Sequence, residues 1–261
     1  MHFTALGRIF LNCLGLLGGL LLTACGPDAT SLPVSSKTLS SPETDRIDTR
    51  PIAPSEFVVT PCKGVPASAP CAVIAAGGKR ILIGAPAGVG DGMIAGDKIS
   101  IDAVIAFSLR ASALEGLDEI RNHSWTSERR TALTVAGAHG IGSIVDGLNA
   151  AYETPDALAY VSGEHGGLFD TVPIVAKEVG AGEVAFDSGD LVIRAYAAGP
   201  GTIALLVEYN THSVLISDCT ASLADMRRWP KADVYVGCLG RTEQIASKQI
   251  EFPPNKRLYV N

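Results

Sequence analysis

From Phe57 onward the chain alternates short apolar, β-branched runs with Gly, Pro and Asp, a pattern that predicts strands joined by tight turns. Val58-Val59-Thr60, Ala72-Val73-Ile74-Ala75 and Arg80-Ile81-Leu82-Ile83 read as strands, the last two joined by Gly77-Gly78, a hairpin signal. The run from Ile101 to Phe107 is almost continuously apolar, as in a strand covered on both faces. A helix over 114–123 follows, then a strand at 132–136 and a helix at 141–152. Strands at 172–178, 183–187, 190–197, 202–209 and 213–217 come next, then a helix near 221–228 and strands at 233–236 and 257–260. Many strands with few helices predict two packed sheets with helices outside them, and no internal period of solenoid length repeats.

The first residues follow a different pattern. Arg8 precedes an apolar stretch from Ile9 to Leu22, broken by Asn12 and too short to span a bilayer. Residues 1–24 read as an export signal. The closing Leu22-Thr23-Ala24-Cys25 resembles the lipobox of bacterial lipoproteins. That resemblance implies cleavage before Cys25 and acylation of its sulfur and amino group. Several acyl chains at about 0.8 kcal/mol per buried methylene would hold the protein on a membrane. Gly26, rather than an aspartate, implies the outer membrane over the inner, so the expected location is the periplasm-facing cell envelope. Residues 25–56 are rich in Ser, Thr, Pro and Asp without apolar periodicity, which predicts a flexible tether reaching on the order of 30 Å. The folded domain is expected over 57–261.

Composition narrows the partners. The 261 residues are 47% hydrophobic, enough for one sizeable core, and 21 basic against 27 acidic side chains give a net charge of −6. No Lys/Arg cluster interrupts that balance, so a nucleic acid partner is not expected. Four cysteines fall in the predicted domain: Cys62, Cys71, Cys219 and Cys238. Their even number in an oxidising compartment predicts disulfides, with three connectivities open. None lies in a C-x-x-C pair, which weakens a zinc reading.

The order of segments over most of 57–261 resembles the metallo-β-lactamase fold, an αββα sandwich, in its ribonuclease Z-like branch. The resemblance rests on Asp102 to Phe107, Leu114-Glu115-Gly116-Leu117, Trp125, Arg129-Arg130 and Leu133-Thr134-Val135. It continues through Gly140, Ile144 to Leu148, Ala150-Ala151-Tyr152, Val207-Glu208-Tyr209, Ser213 to Ser217 and Ala232 to Val236. It implies a metal-dependent hydrolase ancestry built on His-x-His-x-Asp-His. At the matching positions this chain has Ser108, Arg110, Ser112 and Ala113. The later histidine of the family falls near Gly199, its bridging aspartate on Cys219 with Asp218 one place earlier, and its final histidine beyond Asn261. The resemblance therefore implies a former metal pocket lined by Ser108, Arg110, Ser112 and Asp218, with no catalytic residue, metal or cofactor. It also implies a Cys219–Cys238 disulfide between neighbouring strand ends, leaving Cys62 to pair with Cys71.

The other chemistry-bearing residues add little. His123, His139, His165 and His212 have no i, i+2 or i, i+4 pairing and read as surface or turn residues, His212 in a hairpin turn. The glycine-rich stretches 84–90 and 137–142 lack the Lys-Ser/Thr ending of a phosphate loop, and no G-x-S-x-G elbow occurs. The expected function is a membrane-anchored lipoprotein whose inactive domain binds or scaffolds. Arg110 would recognise an anionic small molecule or a peptide carboxylate, with an envelope protein as the other partner. Two alternatives stand: Arg110 merely pairs with Asp218 or Glu115, or the protein hydrolyses phosphodiesters, esters or lactams at a rearranged site.

Overall fold

The computed structural model describes residues 53, 55–62, 65, 71–90, 101–164, 168–218, 220–237, 246–251 and 257–260. Among them, one sheet is built from β1 (Phe57–Pro61), β2 (Ala72–Ala76), β3 (Lys79–Ile83), β4 (Ala103–Ala106), β5 (Leu133–Gly137), β6 (Ile174–Glu178) and β13 (Leu258–Tyr259). Its order is β13-β1-β2-β3-β4-β5-β6. The other consists of β7 (Val184–Asp187), β8 (Leu191–Gly199), β9 (Thr202–Tyr209), β10 (His212–Ile216), β11 (Ala232–Gly237) and β12 (Ala246–Glu251), in the order β12-β11-β10-β9-β8-β7. In the first sheet β1, β2 and β3 run antiparallel, and β3 to β6 run parallel. In the second, β7 to β10 are antiparallel hairpins, and β10, β11 and β12 run parallel. The β2–β3 turn carries Gly77 and Gly78 at φ 59° and 74°, the left-handed pair that a type I′ hairpin demands.

Strand alternation sorts side chains into three apolar layers. Val59, Ile74, Ile81 and Ile105 meet Ile193, Leu205, Val207, Val214 and Val236 between the sheets. The intervening Val73, Leu82, Val104 and Val135 face outward, where α1 (Leu117–Thr126) and α2 (Ile141–Ser162) bring Leu117, Ile120, Ile141 and Val145. On the far side Ala204, Leu206, Leu215 and Tyr235 lie under Met226 of the short α3 (Leu223–Met226) and Trp229. Trp229 Nε1 donates to Ala197 O at 2.8 Å, which satisfies the polar end of a buried ring. The layers thus run α-β-β-α, the expected fold class. Strand β4 and residues 203–207 of β9 are buried from both sides, which is why these stretches are continuously apolar. Each Val, Leu or Ile so enclosed stabilises the fold by about 1.5–3 kcal/mol relative to exposure.

Several element boundaries differ from the sequence expectation. The helix expected from residue 114 starts at Leu117, because Ala111–Ala113 forms a 3-10 turn. Gly116 then passes so close to the loop after β3 that a Cβ would lie 2.3 Å from Pro86 O. Helix α2 continues ten residues past 152, through Pro155. Contacts to α1 hold this extension: Tyr152 Oη donates to Asp118 at 2.7 Å, and buried Asp156 accepts from both terminal nitrogens of buried Arg121. Residues 169–171 form a 3-10 turn, so β6 starts at Ile174 rather than 172. His212 opens β10 instead of lying in the turn, whose left-handed residue is Asn210 at φ 53°. Strand β12 was not expected, since Ser247, Lys248, Gln249 and Glu251 hide it among polar residues, a common edge-strand composition.

A disulfide joins Cys62 to Cys71 with Cα atoms 5.3 Å apart, closing the β1–β2 connection. The expected Cys219–Cys238 bond, the lipid anchor at Cys25, the signal 1–24 and most of the tether lie outside the described residues. So does His165.

Candidate functional site

The topology brings the ends of several strands to one rim. Because β3 to β6 are parallel, Ile83, Ala106, Gly137 and Glu178 all end at the same edge of the first sheet. Ser108, just past β4, bridges Thr202 at the start of β9, and Leu109 N donates to Gly201 O at 2.9 Å. Strand β10 runs antiparallel to β9 and β11 parallel to β10, so Asp218 and Gly237 arrive at that edge too. Ser217 N donates to Val236 O at 3.1 Å, fixing the segment that carries Asp218. Ser108, Arg110, Ser112 and Asp218 therefore share one rim.

Their environments differ. Ser108 is buried, and its Oγ accepts from Arg110 N at 3.3 Å. Arg110 and Ser112 are exposed, on either side of the start of the 3-10 turn, and Ala113 is buried. Among the described residues the Arg110 guanidinium makes no ion pair, so the expected alternative pairing with Asp218 or Glu115 is not observed. Asp218 is occupied otherwise. Thr220 shares its hydroxyl hydrogen between Oδ1 and Oδ2 at 2.7 Å each, and Thr220 N donates to Oδ1 at 3.0 Å. This local turn gives a buried carboxylate neutral donors.

The donor set of the described residues does not fit a pair of divalent cations. Ser108 and Ser112 offer neutral hydroxyls, Ala113 offers a methyl group, and Arg110 offers only N–H donors with a fixed positive charge. A dication beside that guanidinium would meet Coulomb repulsion rather than coordination. Among the described residues no group of three or more His, Cys, Asp or Glu side chains converges.

One pair on this rim was missed in sequence. Glu178 Oε2 lies 2.6 Å from His139 Nδ1, and Glu178 Oε1 accepts from Gly140 N at 2.9 Å. The Gly140 N–H, followed by the His139 contact, holds the Glu178 carboxyl below the usual range. The partners are 39 residues apart and meet because β5 and β6 are parallel neighbours, so each emerges at the same edge. Only a correct strand order would have shown it. The imidazole is 96% exposed, with Nε2 turned away from the carboxylate it contacts.

A cavity of about 340 Å³ lies elsewhere. It opens at the opposite edge, where β4 and β5 begin, between Ile101, Leu133 and the 127–131 connection. The rim and the cavity are separate features.

No family model matches the chain. No curated protein matches it in sequence either. Solved structures are similar to it in fold. The metallo-β-lactamase fold protein YhfI from Bacillus subtilis is 12% identical, with a TM-score of 0.49 over 69% of this chain and 70% of that one. The short form of human tRNase Z is 14% identical, with a TM-score of 0.47 over 69% of this chain and 76% of that one. A diphosphatase of the PhnP family is 13% identical, with a TM-score of 0.49 over 76% and 86%. The four-layer order stands on the chain's own strand pairing.

Proposed function

We propose that this protein is an envelope lipoprotein, held to a membrane through Cys25, whose αββα domain binds or scaffolds and does not hydrolyse. The observation that carries this reading is the rim itself. Where the resembled family gathers imidazoles and carboxylates, this chain presents at Arg110, beside Ser112, an exposed guanidinium without an ion-pair partner among the described residues, and the nearby Asp218 is engaged by Thr220. A guanidinium fork free of carboxylates suits an anionic small molecule or a peptide carboxylate. An envelope protein presenting such a group is the matching macromolecular partner. Net charge of −6 speaks against nucleic acid.

Two measurements test this reading. A fluorescent peptide ending in a free carboxylate, titrated against the full-length chain in detergent, should bind about tenfold more weakly to Arg110→Ala, the loss typical of one charge-assisted contact. Equal binding by both proteins would remove the ligand proposal. Tritiated palmitate fed to expressing cells should label the wild type and not Cys25→Ser, and the label should fractionate with the outer membrane. Labelling that survives the substitution would remove the anchor.

A second reading, hydrolysis at a rearranged site, is favoured by the His139–Glu178 pair. A carboxylate that fixes Nδ1 leaves Nε2 available as a base, the arrangement used in acid–base hydrolases. It ranks second because the imidazole stands in open water, where bulk solvent competes for the proton. Turnover of a phosphodiester, ester or lactam that disappears in His139→Ala would reverse this order.

A further inference from the structure

The cavity at the edge opposite the rim combines two guanidinium groups, hydroxyls without a hydrogen-bond partner among the described residues and an apolar wall. Arg129, on its wall, donates from Nη1 to Ser124 Oγ at 2.8 Å and from Nη2 to Val172 O at 2.9 Å and to Thr171 O, while its buried Nε–H has no acceptor. All these partners are neutral. Burial, reinforced by the charge of Arg121, lowers the Arg129 pKa to about 10, as expected of a cation short of counter-charge. Arg121 itself is already matched by Asp156. Arg130 lines the same cavity, exposed and without an ion-pair partner among the described residues.

Two carboxylates also line it. Asp102 is neutralised, its oxygens accepting from Lys79 Nζ at 3.1 Å and from Arg80 N at 2.8 Å. Glu128 is exposed and leaves the two guanidinium groups with a net positive charge between them. The hydroxyls of Ser127 and Thr131 stand in the lining with no hydrogen-bond partner among the described residues, and buried Ile101 and Leu133 supply an apolar wall.

We propose that this cavity binds a small organic phosphate, its phosphoryl oxygens on Arg129, Arg130 and the two hydroxyls, and its carbon skeleton against Ile101 and Leu133. A planar carboxylate is satisfied by a single guanidinium fork. Donors offered by two guanidinium groups and two hydroxyls suit an oxyanion with three peripheral oxygens. The volume of about 340 Å³ falls within the range of small-molecule sites. This site shares no residue with the rim, so the two proposals stand or fall separately.

Isothermal titration of the full-length chain in detergent with phenyl phosphate, inorganic phosphate and benzoate tests it. Phenyl phosphate should saturate one site per chain and bind more tightly than either of the others. Arg130→Gln should weaken it about tenfold and Thr131→Ala several-fold, as expected for lost charge-assisted and neutral hydrogen bonds. Both side chains are exposed, so these variants should keep the wild-type melting temperature. Arg110→Ala should bind phenyl phosphate like the wild type. No saturable binding, benzoate binding as tightly as phenyl phosphate, or unchanged affinity in Arg130→Gln would each overturn the proposal.

Discussion

Asp218 is 6% exposed and depends on one neighbouring residue for its hydrogen bonds. Removing the hydroxyl in Thr220→Ala leaves a buried carboxylate short of a donor, and we expect a loss of about 1–3 kcal/mol in chemical denaturation. Thr220→Ser, which keeps the hydroxyl, should recover most of it. Glu178 provides a pH-dependent counterpart. Its carboxyl is depressed by the Gly140 N–H and His139, so the charged form is favoured in the folded state. That stability is fully present above the ordinary carboxylate pKa and is lost as pH falls through the folded-state value. The melting-temperature gap between wild type and Glu178→Gln should therefore be open at neutral pH and narrow below about pH 4. A gap independent of pH would contradict the assignment. At this scale the sequence was informative where residues follow one strand: Ser108, Arg110 and Ser112 lie within five consecutive positions. It was silent on His139 with Glu178, and on the cavity hydroxyls of Ser127 and Thr131, because those depend on which strands are neighbours and which edge each loop occupies.

Helices α1 and α2 are clipped together by Arg121 and Asp156, with the Arg121 guanidinium 5.0 Å from the Tyr152 ring centre. Arg121 is 1% exposed, so a lone Asp156→Leu strands a buried cation and should cost about 3–5 kcal/mol. The double replacement Arg121→Met with Asp156→Leu removes both charges and should fall close to wild type or above it in equilibrium unfolding. A double variant as unstable as the single one would show that the charges themselves are needed. The same pair explains a boundary that periodicity could not supply. Pro155 argues for ending α2, yet Asp156 lies one residue beyond it and is held by a partner 35 residues away. Strands such as β9, all Ile, Ala, Leu and Val from Ile203 to Val207, were legible from composition alone. Strand β12 was not, since an edge strand with solvent on one side needs no apolar run. The Cys62–Cys71 bridge closes a short loop, and the Cys62→Ala, Cys71→Ala variant should lose roughly 2–4 kcal/mol in denaturant unfolding.

Among the described residues one inter-sheet core is flanked by two outer ones, and the strand polarity sets two edges. The edge at the ends of β3 to β6 carries Arg110, Asp218 and the His139–Glu178 pair. The edge at their beginnings carries Arg129, Arg130 and the cavity. Layer order was legible in sequence because buried strands and amphipathic helices impose different periods. The separation into two edges was not, because it requires knowing that β3 to β6 run the same way. We propose that the first edge holds no metal. The most direct measurement is metal content by mass spectrometry on the full-length protein, purified after growth with added zinc, iron and manganese. A paired melting curve is taken with and without chelator. Substoichiometric metal and an unchanged melting temperature are expected. Stoichiometric metal whose removal lowers the melting temperature would contradict the proposal.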